Sequence, residues 1–291
     1  MTMPPLESSL LKTILFFELL HHRVSVLELA RITGISAAET RYGVMILTRK
    51  GILIEQGGSY ALARSFNTSY IASDQSTPIA WRRTRMIRWL ARCNPFIQAI
   101  AIGNSLAMGN FENESDIDLF IVAKKNRLYL ARLLFVVPLM LLRLRHHETK
   151  HAPICVSFMV DETALSMNEW SDPKDIYFAH WCASLIWVYD TNKIATRFMQ
   201  ENASLMTAQG LSSAAEMMHG FDATSSFTRI VSKCKGVIDF NWCEHMAWRF
   251  ELWYLPHQVC ELAKLNTSSV VITFSVFKTH LKDQRGEIAT K

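Results

Sequence analysis

Two acids flank one apolar residue in Asp116-Ile117-Asp118, and an apolar run, Leu119 to Val122, follows them. In an extended chain, residues two apart point to the same face. Asp116 and Asp118 therefore project together, while Ile117, Leu119 and Ile121 project to the other side. Two adjacent carboxylates repel each other unless positive charge lies between them. A hard divalent cation such as Mg²⁺ is the natural partner, held by carboxylate oxygens together with phosphate oxygens. A gap of ten residues separates Asp116 from Gly103-Asn104-Ser105 upstream, which closes a second apolar run, Ile97 to Ile102. A turn there offers backbone N–H groups and a hydroxyl to a phosphate. Carboxylates that hold a metal pair are one solution to phosphoryl and nucleotidyl transfer.

This arrangement resembles the nucleotidyltransferase domain of the DNA polymerase beta superfamily. That family has a Gly-Ser turn followed by a strand reading Asp, apolar, Asp. The resemblance implies an α+β fold: a nucleotidyltransferase core with a small mixed sheet flanked by helices. It implies that Gly103, Asn104 and Ser105 bind nucleotide, with Ser105 at the β- and γ-phosphates. Asp116 and Asp118 become the catalytic pair and ligands of Mg²⁺, in a site with room for two metals. The implied reaction moves an NMP group from a nucleoside triphosphate to an unidentified hydroxyl acceptor. Catalysis then rests on positioning and charge neutralisation.

Two departures from the family pattern matter. Asn104 stands where the family has Gly, and Asn is among the residues that best tolerate a positive φ. The family's third carboxylate comes from a later strand, here Ile154 to Val160. Strict alternation places Cys155, Ser157 and Met159 on one face, with Asp161 on that face at the strand end. Asp161 is thus the candidate third metal ligand, or else a turn residue, a role Asp favours. If Ser157 holds the ligand position, the second metal site is weakened. The chain is then a catalytically weakened nucleotide-binding, regulatory or scaffold protein.

The elements that must position this site can be read around it. Residues 1–65 suggest a winged helix-turn-helix: three short helices and a hairpin. Ser25 with Glu28 and Ser36 with Glu39 are capping signals. Gly57-Gly58 marks the hairpin turn. Such a unit can contact nucleic acid through its third helix, which carries Arg41, Arg49 and Lys50 as a modest basic face. Residues 66–95 form a linker ending in a basic helix with Arg82, Arg83, Arg85, Arg88 and Arg92. Residues 96–165 are the core. Residues 166–291 read as mainly helical, with an aromatic stripe from Tyr177 to Trp187 and a basic tail containing Lys278.

The chain has 291 residues, 49% of them hydrophobic and 20% charged, with net charge +5. At about 150 residues per domain this suggests two domains. The balance excludes a disordered or collagen-like chain. The mild positive charge permits a phosphate-bearing ligand without requiring one. Six cysteines without a CxxC pair read as reduced thiols of a cytoplasmic protein. The most apolar run, Leu133 to Leu142, is too short to span a bilayer and contains Pro138. No membrane association is expected, and the run reads as a buried helix kinked or broken near the proline.

Overall fold

A computed structural model describes residues 4–19, 23–63, 77–107, 111, 115–145, 149, 151–168, 176–208, 211–212, 216–217, 241–264 and 270–279. The linker before residue 77, most of the loop between residues 107 and 115, and the tail beyond residue 279 lie outside these residues.

Local signals set the N-terminal unit. Helices α1 (Pro5–Leu19), α2 (Val26–Thr33) and α3 (Ala37–Arg49) precede and follow a short strand, β1 (Val24–Ser25). The Ser25 hydroxyl accepts the Glu28 N–H, and the Glu28 carboxylate accepts the Ser25 N–H at 2.7 Å, a reciprocal cap on α2. Gly34, with φ +69°, stops that helix, and Ser36 caps α3. Strands β2 (Leu53–Gln56) and β3 (Ser59–Leu62) pair through a turn at Gly57 and Gly58, both with positive φ. The result is a three-stranded antiparallel sheet in the order β1-β3-β2.

The rest of the chain is organised on one mixed sheet. In chain order its parts are α4 (Thr77–Cys93), β4 (Ile97–Ile102), α5 (Asn104–Ala107), β5 (Ile117–Ala123), α6 (Leu128–Leu141), β6 (Ile154–Asp161) and α7 (Ile176–Ser184). There follow β7 (Ile186–Asp190), α8 (Ile194–Glu201), α9 (Ala203–Thr207), β8 (Glu216–Met217), α10 (Asn241–Tyr254), α11 (His257–Lys264), β9 (Val270–Ile272) and β10 (Val276–Thr279). Seven strands pair in the order β8-β7-β4-β5-β6-β10-β9. β5 and β6 are parallel, as are β7 and β8; the other neighbours are antiparallel.

Central strands are apolar on both faces because both faces are covered. On the first face Ala99, Ala101, Phe120, Val122, Phe158 and Val160 join α7, α8, α9 and the N-terminal unit in one apolar cluster. Phe16 of α1 stacks on His180 of α7 at 4.0 Å, and the Ser212 N–H reaches the Ile32 carbonyl. On the second face Ile100, Ile102, Ile117, Leu119, Ile121 and Met159 pack with α4, α6 and α10.

Helix α10 is locked onto α6. Arg132 and Glu251 form a buried ion pair at 3.2 Å, with the Arg132 guanidinium 3.8 Å from the Phe277 ring centre. The Glu244 carboxylate accepts the Tyr129 and Leu130 N–H groups at 2.7 and 2.9 Å. It satisfies donors that the first turn of α6 cannot pair internally.

The α+β class holds, with two differences from the sequence reading. The sheet is not small, and the region after residue 166, though mainly helical among its described residues, also supplies β7, β8, β9 and β10. The aromatic stripe splits: helix α7 ends at Ser184, and Ile186 to Asp190 continues as a strand. Short apolar runs do not distinguish a buried helix from a buried strand by periodicity. Helix α6 also passes through Pro138 and ends three residues later. Among the described residues no helix is long and apolar enough to cross a membrane.

Candidate functional site

The sequence-predicted turn and acid pair meet at one end of the sheet. β4 ends where β5 begins, and the Gly103 N–H donates to the Asp118 carbonyl at 3.0 Å. Asn104 adopts φ +50°, in the left-handed region, and its Nδ2 donates to Asp118 Oδ2 at 2.9 Å. Asn104 therefore binds one of the two acids directly. Asp116, Asp118, Asn104 and Ser105 are all partly exposed.

Gly103 is required for space. A Cβ there would lie 2.9 Å from Trp181 Nε1 and 3.4 Å from a Leu185 methyl. Trp181 cannot easily retreat, because it stacks on Phe158 and Phe178 and meets Phe120 edge-on at 5.4 Å. This aromatic block stands beneath the turn.

Asp161 is not part of the site. Asp118 pairs with Cys155, whereas Asp161 pairs with Ala123 at the far end of β5. Five residues of strand separate the two positions, about 16 Å. A β-bulge also breaks the alternation of β6. Asp118 to Phe120 spans two residues, and the matching stretch, Cys155 to Phe158, spans three. Beyond the bulge Phe158 and Val160 share the face of Phe120, and Asp161 turns to the opposite face from Cys155. Asp161 is 1% exposed, and its oxygens accept the Asn126 and Thr163 N–H groups and the Thr163 hydroxyl. It is the turn residue of the two roles the sequence left open.

Cys155 sits beside Asp118, where the resemblance would place a third acid. Burial, then the Asp118 and Asp116 carboxylates, push its thiol up to about 12, against a hydrogen bond with Ser157 that lowers it. The thiol is neutral at physiological pH and adds no charge to the pair. Sequence reasoning missed Cys155; the signal was its place on the face of Ser157 in the candidate strand.

Asp116 and Asp118 are the residues that could offer carboxylate oxygens to a hard divalent ion. Two carboxylates plus phosphate and water oxygens are a sufficient Mg²⁺ environment, while a neutral thiol is a poor ligand for it. Among the described residues no group of three or more His, Cys, Asp or Glu is placed to hold a metal.

The basic candidates of helix α4 lie elsewhere. Helix α4 packs on the second face, away from the carboxylate side. Arg83 donates to the Ala152 carbonyl, Arg88 is buried, and Arg82 and Arg85 are exposed. Lys278 is not in a solvated tail. It lies in β10, 3% exposed, with Nζ about equally distant from the Phe158 and Phe178 rings. The described cysteines are free thiols, and Cys234 lies outside the described residues.

No family model matches the chain, and neither the curated proteins nor the solved structures contain a match to it.

Proposed function

We propose that the chain binds a nucleoside triphosphate with Mg²⁺ at Asp116 and Asp118, in the manner of a nucleotidyltransferase core, and that NMP transfer from this site is weak. The observation that carries the reading is the Asn104–Asp118 hydrogen bond, which ties the phosphate-type turn to the acid pair. The limit on transfer comes from Cys155, neutral and opposite Asp118, in place of a third carboxylate.

Each residue has a distinct task. Asn104 holds the Asp118 carboxylate and fixes the turn, so less ordering remains when ligand binds. Gly103 lets the turn close over Trp181. Ser105 presents its hydroxyl at the turn, beside the acids. Asp116 and Asp118 hold the ion, which would neutralise the polyphosphate charge. Two carboxylates do not supply a second ion, and with it is lost the activation of an acceptor hydroxyl expected of a two-metal site.

The N-terminal unit is proposed as a winged helix that serves for packing. Its α1, α2 and β-strand residues share the first-face cluster with the sheet. Phosphate neutralisation on DNA takes several Lys and Arg contacts. Lys50 of the third-helix turn is engaged with Glu7 at 2.6 Å.

Isothermal titration with ATP, in Mg²⁺ and in EDTA, tests the proposal alongside a pyrophosphate-release assay. Binding should require Mg²⁺, vanish in Asp116→Ala and Asp118→Ala, and be accompanied by only trace release. Binding that survives both substitutions, or fails in the native chain, would overturn it.

A further inference from the structure

Helix α10 carries an apolar face that nothing described covers. Trp242, Met246, Phe250, Trp253 and Tyr254 lie on its outward side, with Trp253 79% and Trp242 65% exposed. Both acids of the helix, Glu244 and Glu251, point inward to α6 and are buried. A soluble surface helix normally does the reverse.

We infer that this face is a twofold interface between two copies of the chain, with α10 packed against α10 of its partner. The first argument is area. Four aromatic rings of about 150–250 Å² each, roughly half to four-fifths exposed, offer on the order of 500 Å². Met246 raises this to about 600 Å² per partner, at the low end of specific interfaces. That stands at the top of the ~300–600 Å² range of the largest apolar patch on a monomer, a size that often marks a contact surface.

The second argument is rigidity. Phe250 and Tyr254 are stacked at 6.3 Å with planes 7° apart, and Phe250 meets Trp253 at 6.0 Å. The helix beneath is fixed by the Arg132–Glu251 pair and by Glu244 on the α6 N-terminus. Pre-ordered aromatic anchors lose little entropy on association.

The third argument is charge. A lipid-binding face draws on several Lys or Arg residues beside its aromatics to meet anionic headgroups. The outward side of α10 has Arg249 as its one fixed cation. Across a twofold axis a single guanidinium per copy can lie on a partner's ring. Like faces carrying little charge are self-complementary.

The test is sedimentation velocity of the full chain at tens of micromolar, with Trp253→Glu and, separately, Met246→Glu. The native chain should sediment at twice its 33.3 kDa monomer mass. Each variant should weaken dimerisation by about thirtyfold or more while keeping native circular dichroism. A monomeric native chain would overturn the inference, as would variants that dimerise as tightly as the parent. So would a monomer that cosediments with phosphatidylglycerol vesicles, which would make the face a lipid surface. Mg²⁺–ATP binding plays no part in this readout.

Discussion

The parallel pair β5/β6 has an acid near each end, and the two ends put it to different use. At one end Asp118 stays partly exposed, shares its face with Asp116, and is steadied by the Asn104 side chain. At the other end Asp161 is buried under the Asn126 and Thr163 amides and closes a turn. Residue type is the same; the donors around each acid decide whether it stays partly exposed beside the turn or is buried to hold the fold. A buried carboxylate whose oxygens are already taken by backbone N–H groups has little left to give a metal.

The largest expected effect separates the two ends by stability. Asp161→Ala removes the buried acceptor of three part-buried hydrogen bonds and should cost about 2–3 kcal/mol in urea denaturation. The fraction that remains folded should bind Mg²⁺–ATP normally. Asp118→Asn should do the opposite: affinity falls tenfold or more, about 1.4 kcal/mol, with stability unchanged or raised as like-charge repulsion is relieved. If Asp161→Ala abolished binding in folded protein, the division between the ends would fail.

Cys155→Asp tests the site end from the other direction. A third acid beside Asp116 and Asp118 should lower stability in EDTA and restore it in Mg²⁺. Pyrophosphate release should rise about tenfold or more, the weight of one general acid–base or metal contact. No gain would show that something other than the missing acid limits transfer.

Gly103→Ala sharpens the role of the turn. Its methyl must displace Trp181 from the aromatic block, at about 1–3 kcal/mol. The same shift should lengthen the Asn104–Asp118 bond and reduce Mg²⁺–ATP affinity. An unchanged melting temperature would remove the packing argument.

The smallest effect belongs to the turn end, where Tyr129 donates to the Thr273 carbonyl at 2.5 Å. Burial, helped by Glu244 and Glu251 and opposed by Arg132, holds its phenol above the usual value of 10. A group with a raised folded pKa stabilises fully below its unfolded pKa and loses this as pH rises. Native protein should therefore exceed Tyr129→Phe by about 1 kcal/mol at neutral pH. The gap should narrow above pH 10, and a gap constant through that range would contradict the assignment.

The local part of this arrangement was legible because local chemistry wrote it. The capping pairs Ser25/Glu28 and Ser36/Glu39, the Gly57-Gly58 turn, and the shared face of Asp116 and Asp118 all follow from spacing. The β6 bulge left no trace, since Phe158-Met159-Val160 is apolar on both faces and carries no register. Asp161 and Cys155 were consequently placed on one face. Strand β7 was hidden for a related reason, since its partner β4 lies far away in the chain, and the apolar run Val270 to Phe277 read equally as a strand or the start of a helix because a buried strand such as Val276 to Thr279 has no period of its own. Lys278 looked like tail chemistry until β10 paired it with Phe158.

The central claim is one metal ion at the Asp116/Asp118 end and none at Asp161. Electron paramagnetic resonance of Mn²⁺, titrated with a non-hydrolysable ATP analogue, counts the ions bound to the chain. The account predicts one Mn²⁺ per native chain, lost in Asp118→Asn. Two ions in the native chain, or one that persists in Asp118→Asn, would contradict it.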